Sequence, residues 1–290
     1  MITKPRIFSK LFIDENTQHH YETHGFATIP LLNAETLQQM RSLFYTERSN
    51  ITEDVTHSVY ASGCSTDYDL RKRIGQIIDS TIPALLNGIV NTDSIELMGG
   101  TMLLKAPGEN GFLQAHFDNP VLDENKFSSA FLWVPLEDVN ETNGCVYVLP
   151  ATHLIDHGPR GMMSPFPYKQ WDEIIYKYGV PVTVKAGTAL VMDHALLHYS
   201  LNNHSNKERI AFTFNLKPKA AQQIHYYYRQ DKNEIELFKT DVAFYFNENF
   251  FERPQHLEQI GSLPYRMPLF TEQEFSAYLE KASSVFLMPA

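Results

Sequence analysis

The sequence predicts a mainly β fold, either a barrel or a sandwich, with helices ahead of it. Between Ser94 and Pro218, short apolar runs follow one another with Gly, Pro and Asn between them, which is typical of antiparallel barrels and sandwiches. The segment before Ser94 instead spaces its apolar residues at helical intervals. Because 43% of the 290 residues are hydrophobic, the chain can bury a sizeable core.

The first part of the chain, residues 1–93, is predicted to be largely helical. It holds one strand, FATIPLL from Phe26, after which Asn33 can cap a helix by accepting a hydrogen bond from a free backbone N–H. One face of that helix carries Leu37, Met40, Leu43 and Phe44.

A second helix is predicted over residues 69–90, with breaks near Pro83 and Gly88 because both residues interrupt helices. Residues 51–68, between the two helices, lack a clear period and are rich in turn formers. We expect this stretch to be a long surface loop.

The barrel core is predicted to span residues 94–218, and residues 219–290 form an aromatic C-terminal extension of the same single domain. The extension ends in a predicted helix, residues 271–286. Its aromatic side chains could pack against the barrel, cover a site, or form a homodimer contact. The predicted strands are SIELMGGTMLLKA, FLQAHFD, SSAFLWVPLE, CVYVLPAT, VPVTVKAGTALVMD, LLHYSLN and RIAFTFNLKP.

Charge and composition exclude several partner classes. The formal net charge is -10 and no long run of Lys or Arg occurs, so neither nucleic acid nor an anionic membrane surface is an expected partner. Cys64 and Cys145 are the only cysteines and form no CxxC pair, which favours a reducing compartment. The N-terminal residues lack the apolar core of a signal peptide. We therefore expect a cytoplasmic protein.

A histidine and an aspartate stand two residues apart in one predicted strand. Residues i and i+2 of a strand share a face, so His116 and Asp118 can supply two ligands of a two-histidine, one-carboxylate metal site, which leaves positions free on ferrous iron. The candidate third ligand is His198, at the end of a β-run and eleven residues before Arg209.

Other histidines could form an alternative metal site. His194 and His198 lie four apart, with His204 nearby, which on a helix would be a metal-binding pair. The stretch is β-like for most of its length, so we expect His194 to be structural or to line a pocket. Structural roles are also expected for His153 and His157.

Four segments together resemble a known family. They are HGFATIPLL at 24–32, HFD at 116–118, NGCVYVLPATH at 143–153 and HYSLNNHSNKER at 198–209. In this order they are similar to the phytanoyl-CoA dioxygenase family of Fe(II)- and 2-oxoglutarate-dependent oxygenases, over about residues 21–216.

The resemblance implies a double-stranded β-helix, the jelly-roll or cupin-like barrel, with iron held by His116, Asp118 and His198. The implied reaction hydroxylates an unactivated C–H bond of a small molecule with O2, while 2-oxoglutarate becomes succinate and CO2. The substrate class stays open among secondary metabolites, amino acids and lipid or acyl intermediates. An acyl-CoA would favour a basic patch, which this acidic chain lacks.

The resemblance also implies a site for the distal carboxylate of 2-oxoglutarate. Arg209 would bind it, since a planar guanidinium takes a carboxylate in bidentate fashion. Ser200, Lys105 and Trp133 match positions that line the co-substrate site in relatives. Two departures from the family pattern are PATH at 150–153 and the long aromatic extension.

Two other functions remain as alternatives. One is a non-catalytic cupin-like binding protein, which would have no need of a complete metal triad beside Arg209. The other is a metal-dependent hydrolase on the same barrel, which would leave Arg209 unexplained. Residues 159–180, with Met162, Trp171 and other apolar residues among Gly and Pro, are predicted to be either a lid over the site or, in the second half, a surface helix.

Overall fold

Two facing antiparallel sheets form the centre of the molecule, as described by a computed structural model for residues 2–56 and 59–287. The helices are α1 (Glu15–His24), α2 (Ala34–Asn50), α3 (Tyr68–Leu86), α4 (Asp172–Tyr178), α5 (Val242–Asn247) and α6 (Glu272–Leu287). The strands are β1 (Phe26–Pro30), β2 (Tyr60–Ala61), β3 (Ile95–Lys105), β4 (Leu113–His116), β5 (Ala130–Pro135), β6 (Val146–Val148), β7 (Val180–Val182), β8 (Thr188–Asp193), β9 (His198–Ser200), β10 (Arg209–Pro218), β11 (Ile224–Arg229), β12 (Glu234–Lys239) and β13 (Gln259–Pro264).

The larger sheet has the strand order β1-β8-β5-β10-β3-β2, and the smaller sheet has the order β4-β9-β6-β7. Side chains from both sheets meet in one apolar core that includes Trp133, Val148, Leu190 and Tyr199. The architecture is a double-stranded β-helix with flanking helices, which confirms the predicted fold class. Alternating side chains put one face of each strand inside the barrel.

Helices α2 and α3 cover the outer face of the larger sheet. Phe44 of α2 stacks on Phe212 of β10 with ring centroids 5.5 Å apart. Ile78 of α3 lies so close to Gly100 of β3 that a Cβ there would meet its Cδ1 at 2.4 Å, so this glycine lets the helix approach the sheet. Within the described residues, no helix is both long and apolar enough to cross a bilayer.

The structure of the N-terminal part departs from the prediction at three places. Helix α3 continues through Pro83 to Leu86, because a proline so near the end of a helix disrupts only the last turn. The stretch 51–68 is more than a loop, since it contains β2, which pairs with β3, and a short 3-10 turn. Helix α1 was not predicted at all; it is weakly amphipathic and is capped by Asp14.

The C-terminal extension adds a third sheet, β11-β12-β13, and the helix α6. Much of it packs inward, with Ile235, Phe238, Phe275 and others buried. The residues of β13 are exposed, and so is Leu269. A homodimer contact through this region stays a prediction.

Candidate active site

The strand pairing of the smaller sheet brings two of the predicted ligands face to face. His116 ends β4 and pairs across the sheet with His198, which begins β9. Their ring centroids lie 4.2 Å apart. With Asp118 they form a group whose ligand atoms all lie within 4.8 Å of one another, the one such cluster among the described residues.

Backbone carbonyls orient both imidazoles. His116 Nδ1 lies 2.8 Å from the carbonyl oxygen of Gln114, and His198 Nδ1 lies 3.0 Å from that of Leu196. These carbonyls can only accept, so each Nδ1 carries the proton and each Nε2 keeps its lone pair. Burial, and then the neighbouring His198, lower the pKa of His116 to about 4. The ring is therefore neutral at pH 7, as a metal ligand must be.

Asp118 lies beyond the strand that was predicted to carry it. Strand β4 ends at His116, after an irregularity in its pairing with β9, and the Asn119-Pro120 step follows Asp118. The Oδ2 atom of Asp118 is buried and has no hydrogen-bond partner. A carboxylate oxygen in that state is costly unless a cation occupies the adjacent space.

A pair of buried cations lies on the opposite wall of the barrel. Arg209 of β10 pairs in register with Lys105 of β3, and the two side chains are 3% and 0% exposed respectively. Neither forms an ion pair with an Asp or Glu among the described residues. Lys105 Nζ donates to Ser200 Oγ at 2.7 Å and to the carbonyl of Leu201, so it bridges the two sheets.

Trp133 and Gly144 complete the surroundings of Arg209. The guanidinium lies 5.1 Å from the Trp133 ring centroid and donates to the carbonyl oxygen of Gly144. Gly144 has φ +75°, and a Cβ there would lie 2.9 Å from Lys105 Cδ, so the turn at Asn143-Gly144 needs its glycine. The Nε of Arg209 is buried without a partner.

Burial lowers the pKa of both positive groups, and the charge of Arg209 lowers that of Lys105 further. Burial, followed by the charge of Arg209, lowers the pKa of Lys105 to about 6. Burial lowers the pKa of Arg209 to about 10. A site of this kind favours an anion, because a bound carboxylate would offset both charges and accept hydrogen bonds from both side chains.

The two clusters are near neighbours. Ser200 follows His198 by two residues on β9, a separation of about 6.6 Å along a strand. A short dicarboxylate can therefore reach from the cations to the His116–Asp118–His198 group. The seven residues predicted to bind the metal or 2-oxoglutarate all lie in this one part of the barrel.

The remaining histidines have structural partners. His194 lies 2.9 Å from Ser129 Oγ and 2.9 Å from Asn215 Oδ1, so it is held inside the barrel as predicted. His157 contacts the Tyr168 hydroxyl at 2.5 Å and two backbone carbonyls. His204 lies at the surface. The rival cluster of His194, His198 and His204 does not form.

Arg160 and Glu124 support the ligand loop, and sequence reasoning missed both. The Arg160 Nε donates to the backbone carbonyl of Asp118 at 3.0 Å, and its two other nitrogens bind Glu124 at 2.7 Å each. The guanidinium also lies 5.1 Å from the ring centroid of Phe117. No local sequence pattern could have indicated the Arg160–Glu124 pair, because the two residues are 36 positions apart.

The segment predicted as a lid is partly core. Tyr168 and Ile175 are fully buried, and Tyr168 stacks on Phe275 of α6 with centroids 4.9 Å apart. Its second half contains α4, which packs against the barrel. A lid role therefore stays a prediction for residues 159–167 alone.

A buried ion pair fixes the turn that precedes His198. Arg6 binds Asp193 through two 2.9 Å contacts, and Asp193 also accepts from the Ala195 N–H at 2.8 Å. Replacing Asp193 with alanine should destabilise the protein by about 3–5 kcal/mol, because Arg6 would remain buried without its partner. Urea unfolding measures this loss. The exposed Asp138–Lys185 pair provides the control, since Asp138→Ala should change stability little.

The sequence is similar to that of a known protein family. The family model described as "Phytanoyl-CoA dioxygenase (PhyH)" matches residues 21–211. A phytanoyl-CoA dioxygenase of Arabidopsis thaliana is 28% identical over 126 residues, or 41% of this chain and 44% of the relative. Phytanoyl-CoA dioxygenase 1 of Oryza sativa subsp. japonica is 30% identical over 39% of this chain and 42% of its own length. The match thus spans less than half the length of these curated relatives.

Solved structures share the fold at lower identity. The alpha-ketoglutarate-dependent epimerase SnoN from nogalamycin biosynthesis superposes with a TM-score of 0.53 at 19% identity, over 89% of this chain and 95% of that one. EvdO2 from Micromonospora carbonacea var. aurantiaca, complexed with 2-oxoglutarate, gives 0.53 at 16% identity, over 76% and 95%. Since the family model covers well over half of the chain and includes His116, Asp118, His198 and Arg209, the chain belongs to the phytanoyl-CoA dioxygenase family.

Proposed function

We propose that this protein is a non-haem Fe(II)- and 2-oxoglutarate-dependent dioxygenase that hydroxylates a small molecule. One observation carries the proposal. A group of two histidines and one carboxylate, half-buried at His116 and Asp118 and with an unpartnered carboxylate oxygen, lies beside two buried cations that have no acidic partner among the described residues. The first group fits a divalent metal and the second fits a carboxylate, which together are the requirements of an iron and 2-oxoglutarate site.

His116, Asp118 and His198 would hold the metal. Both Nε2 atoms have free lone pairs, and Asp118 Oδ2 is free of hydrogen bonds. Bound there, ferrous iron would supply the redox chemistry by which one O2 oxygen enters succinate, as CO2 leaves, and the other enters a substrate C–H bond. The carbonyls of Gln114 and Leu196 fix the two tautomers, as outer partners of metal ligands commonly do.

Arg209, Lys105, Ser200 and Trp133 would hold the distal carboxylate of 2-oxoglutarate. Arg209 offers a planar fork of donors, already oriented by Gly144 and Trp133. Lys105 and Ser200 offer one donor each from opposite sheets. Trp133 is 2% exposed and excludes water from the guanidinium, which strengthens its interaction with an anion.

An anaerobic titration tests the proposal directly. Metal-free protein should bind one Fe(II) and, on addition of 2-oxoglutarate, develop the weak visible charge-transfer band of a chelated 2-oxo acid. Subsequent exposure to O2 should release succinate. Failure of the band to form, with tight binding of Zn(II) instead, would contradict the proposal and favour the hydrolase alternative.

Binding of 2-oxoglutarate should take up a proton through Lys105. With a pKa of about 6, Lys105 is mostly neutral at pH 7.5 in the absence of an anion, while a bound carboxylate favours its charged form. Affinity for 2-oxoglutarate should therefore fall as the pH rises above 6, by at most about tenfold per unit. The groups facing Lys105 are Arg209, which stays charged, and Cys145, whose pKa is raised by burial to about 11.

Calorimetry in two buffers of different ionisation enthalpy measures this uptake, with Ni(II) in the metal site to prevent turnover. Wild type should take up close to one proton at pH 7.5, and Lys105→Met should take up almost none. Equal uptake by both proteins would assign the proton to another group.

A further inference from the structure

A small cavity opens on the inner face of the larger sheet, beyond the cation pair. Its volume is about 200 Å³, and Thr213 and Asn215 of β10 line it. They lie four and six residues after Arg209 on the same alternating face of that strand. Val121, three residues after Asp118, forms another side. The cavity therefore borders both the sheet that carries the cations and the loop that carries the metal-ligand candidate.

The C-terminal extension builds the outer wall of this cavity. Tyr245, Phe246 and Phe250 all line it. Phe246 lies directly over Gly75 of α3, where a Cβ would meet its ring at 2.5 Å. The glycine thus allows the close contact that seats the aromatic wall on the helix.

A buried arginine holds the same wall in place. Arg71 Nη1 donates to the backbone carbonyls of Tyr245 and Glu248, at 3.0 and 2.8 Å. Its guanidinium lies 5.3 Å from the ring centroid of Phe250, and the residue is 3% exposed. Because backbone and ring are both anchored, the cavity is formed before any substrate arrives.

Gln223 presents an unused donor to the cavity. The residue is 5% exposed and lines the cavity, and its side-chain Nε2 is buried without a hydrogen-bond partner. Its own backbone carbonyl accepts from the Thr240 N–H at 3.1 Å, which fixes its position. A buried amide donor is costly to leave unpaired, so a ligand with an acceptor oxygen would gain from meeting it.

Among the residues that the structure describes, no charged side chain lines the cavity. A larger cleft of about 650 Å³ nearby is lined by Lys4 and by three further cations that each have an acidic partner. The pairs are Lys126–Asp123, Arg160–Glu124 and Arg266–Asp156. The small cavity therefore offers none of the positive charge that a polyphosphate group requires.

We propose that the cavity selects a compact, uncharged substrate moiety with an apolar or aromatic body and an acceptor oxygen, such as a carbonyl, that Gln223 recognises. The inference rests on the proposed function, because it takes the metal as the centre of reaction. Aromatic side chains would contact the body of the molecule, and the single amide would set its orientation. The C-terminal extension is then a specificity element of the enzyme.

Ligand-observed NMR with Mn(II) in the metal site tests this inference without turnover. The protein is saturated with Mn(II) and 2-oxoglutarate, and the probes are matched trios of one skeleton, for example acetophenone, benzoate and ethylbenzene. Paramagnetic broadening reports binding near the metal. Acetophenone should be broadened most, benzoate should not be broadened, and Gln223→Leu should weaken acetophenone binding about fivefold, the worth of one hydrogen bond.

Gln255→Leu is the matched control, because Gln255 is an exposed glutamine of the same extension and its loss should change nothing. If benzoate is broadened as strongly as acetophenone, or if Gln223→Leu binds acetophenone as wild type does, the inference is wrong although the function stands. Failure of the protein to bind Mn(II) and 2-oxoglutarate at all would overturn the proposed function itself.

Discussion

Replacing Asp118 with alanine should abolish turnover and weaken metal binding by at least about 100-fold. Loss of an outer partner of a metal ligand already costs 10–100-fold in affinity, and Asp118 would be a ligand itself. His198→Ala should behave in the same way, because His198 Nε2 is fixed toward the same point by the Leu196 carbonyl. Electron paramagnetic resonance of added Mn(II) measures the affinity, and succinate release measures turnover.

The stability of the metal-free Asp118→Ala protein distinguishes a metal ligand from a structural residue at this position. Asp118 Oδ2 is buried without a hydrogen-bond partner, so its removal should leave the stability of the metal-free protein unchanged or raise it. A structural aspartate would instead lower stability when removed. Asp123→Ala is the control, since Asp123 lies in the same loop and its carboxylate binds only exposed neighbours in that loop, Lys126 at 3.1 Å and Asn125 at 3.1 and 3.2 Å. Wild-type metal affinity in Asp118→Ala would contradict the ligand assignment.

The candidate ligands could be predicted because their spacing reports local geometry. His116 and Asp118 stand two apart near the end of an apolar run, and this is visible without any tertiary information. The structure keeps the pair together but not for the reason predicted, since only His116 is on β4. The irregular pairing before His116 and the following Asn119-Pro120 step release Asp118 from the strand, which sequence periodicity could not indicate.

Contacts between distant segments could not be predicted from the sequence. Lys105 and Ser200 are 95 residues apart and meet only because the two sheets face each other. Their assignment depended on resemblance to a family. Arg160 and Gln223 had no such guide, because ionic and amide side chains occur throughout a surface and only burial distinguishes these two. Helix and strand periods describe one element at a time, and a site assembled from several elements needs their packing.

Replacing Arg209 with leucine should weaken 2-oxoglutarate binding about 100-fold while leaving metal affinity unchanged. A bidentate, charge-assisted contact in a buried site contributes several kcal/mol, and each 1.4 kcal/mol is a factor of ten in affinity. Part of this loss should be offset by Lys105. The pKa of Lys105 is lowered by burial and then by the charge of Arg209, so without that charge Lys105 is more fully protonated and binds the carboxylate better.

This compensation makes a set of variants informative. Arg209→Lys keeps the charge but loses the planar fork and the stacking on Trp133, so its affinity should lie between those of wild type and Arg209→Leu. The double variant with Lys105→Met and Arg209→Leu should lose this offset. Its affinity for 2-oxoglutarate should therefore fall by more than either single change predicts. Arg48→Leu is the matched control, because Arg48 pairs with Glu208, next to Arg209 but outside the barrel. If 2-oxoglutarate binds Arg209→Leu as it binds wild type, the distal carboxylate is held elsewhere, and the two buried cations need another anion.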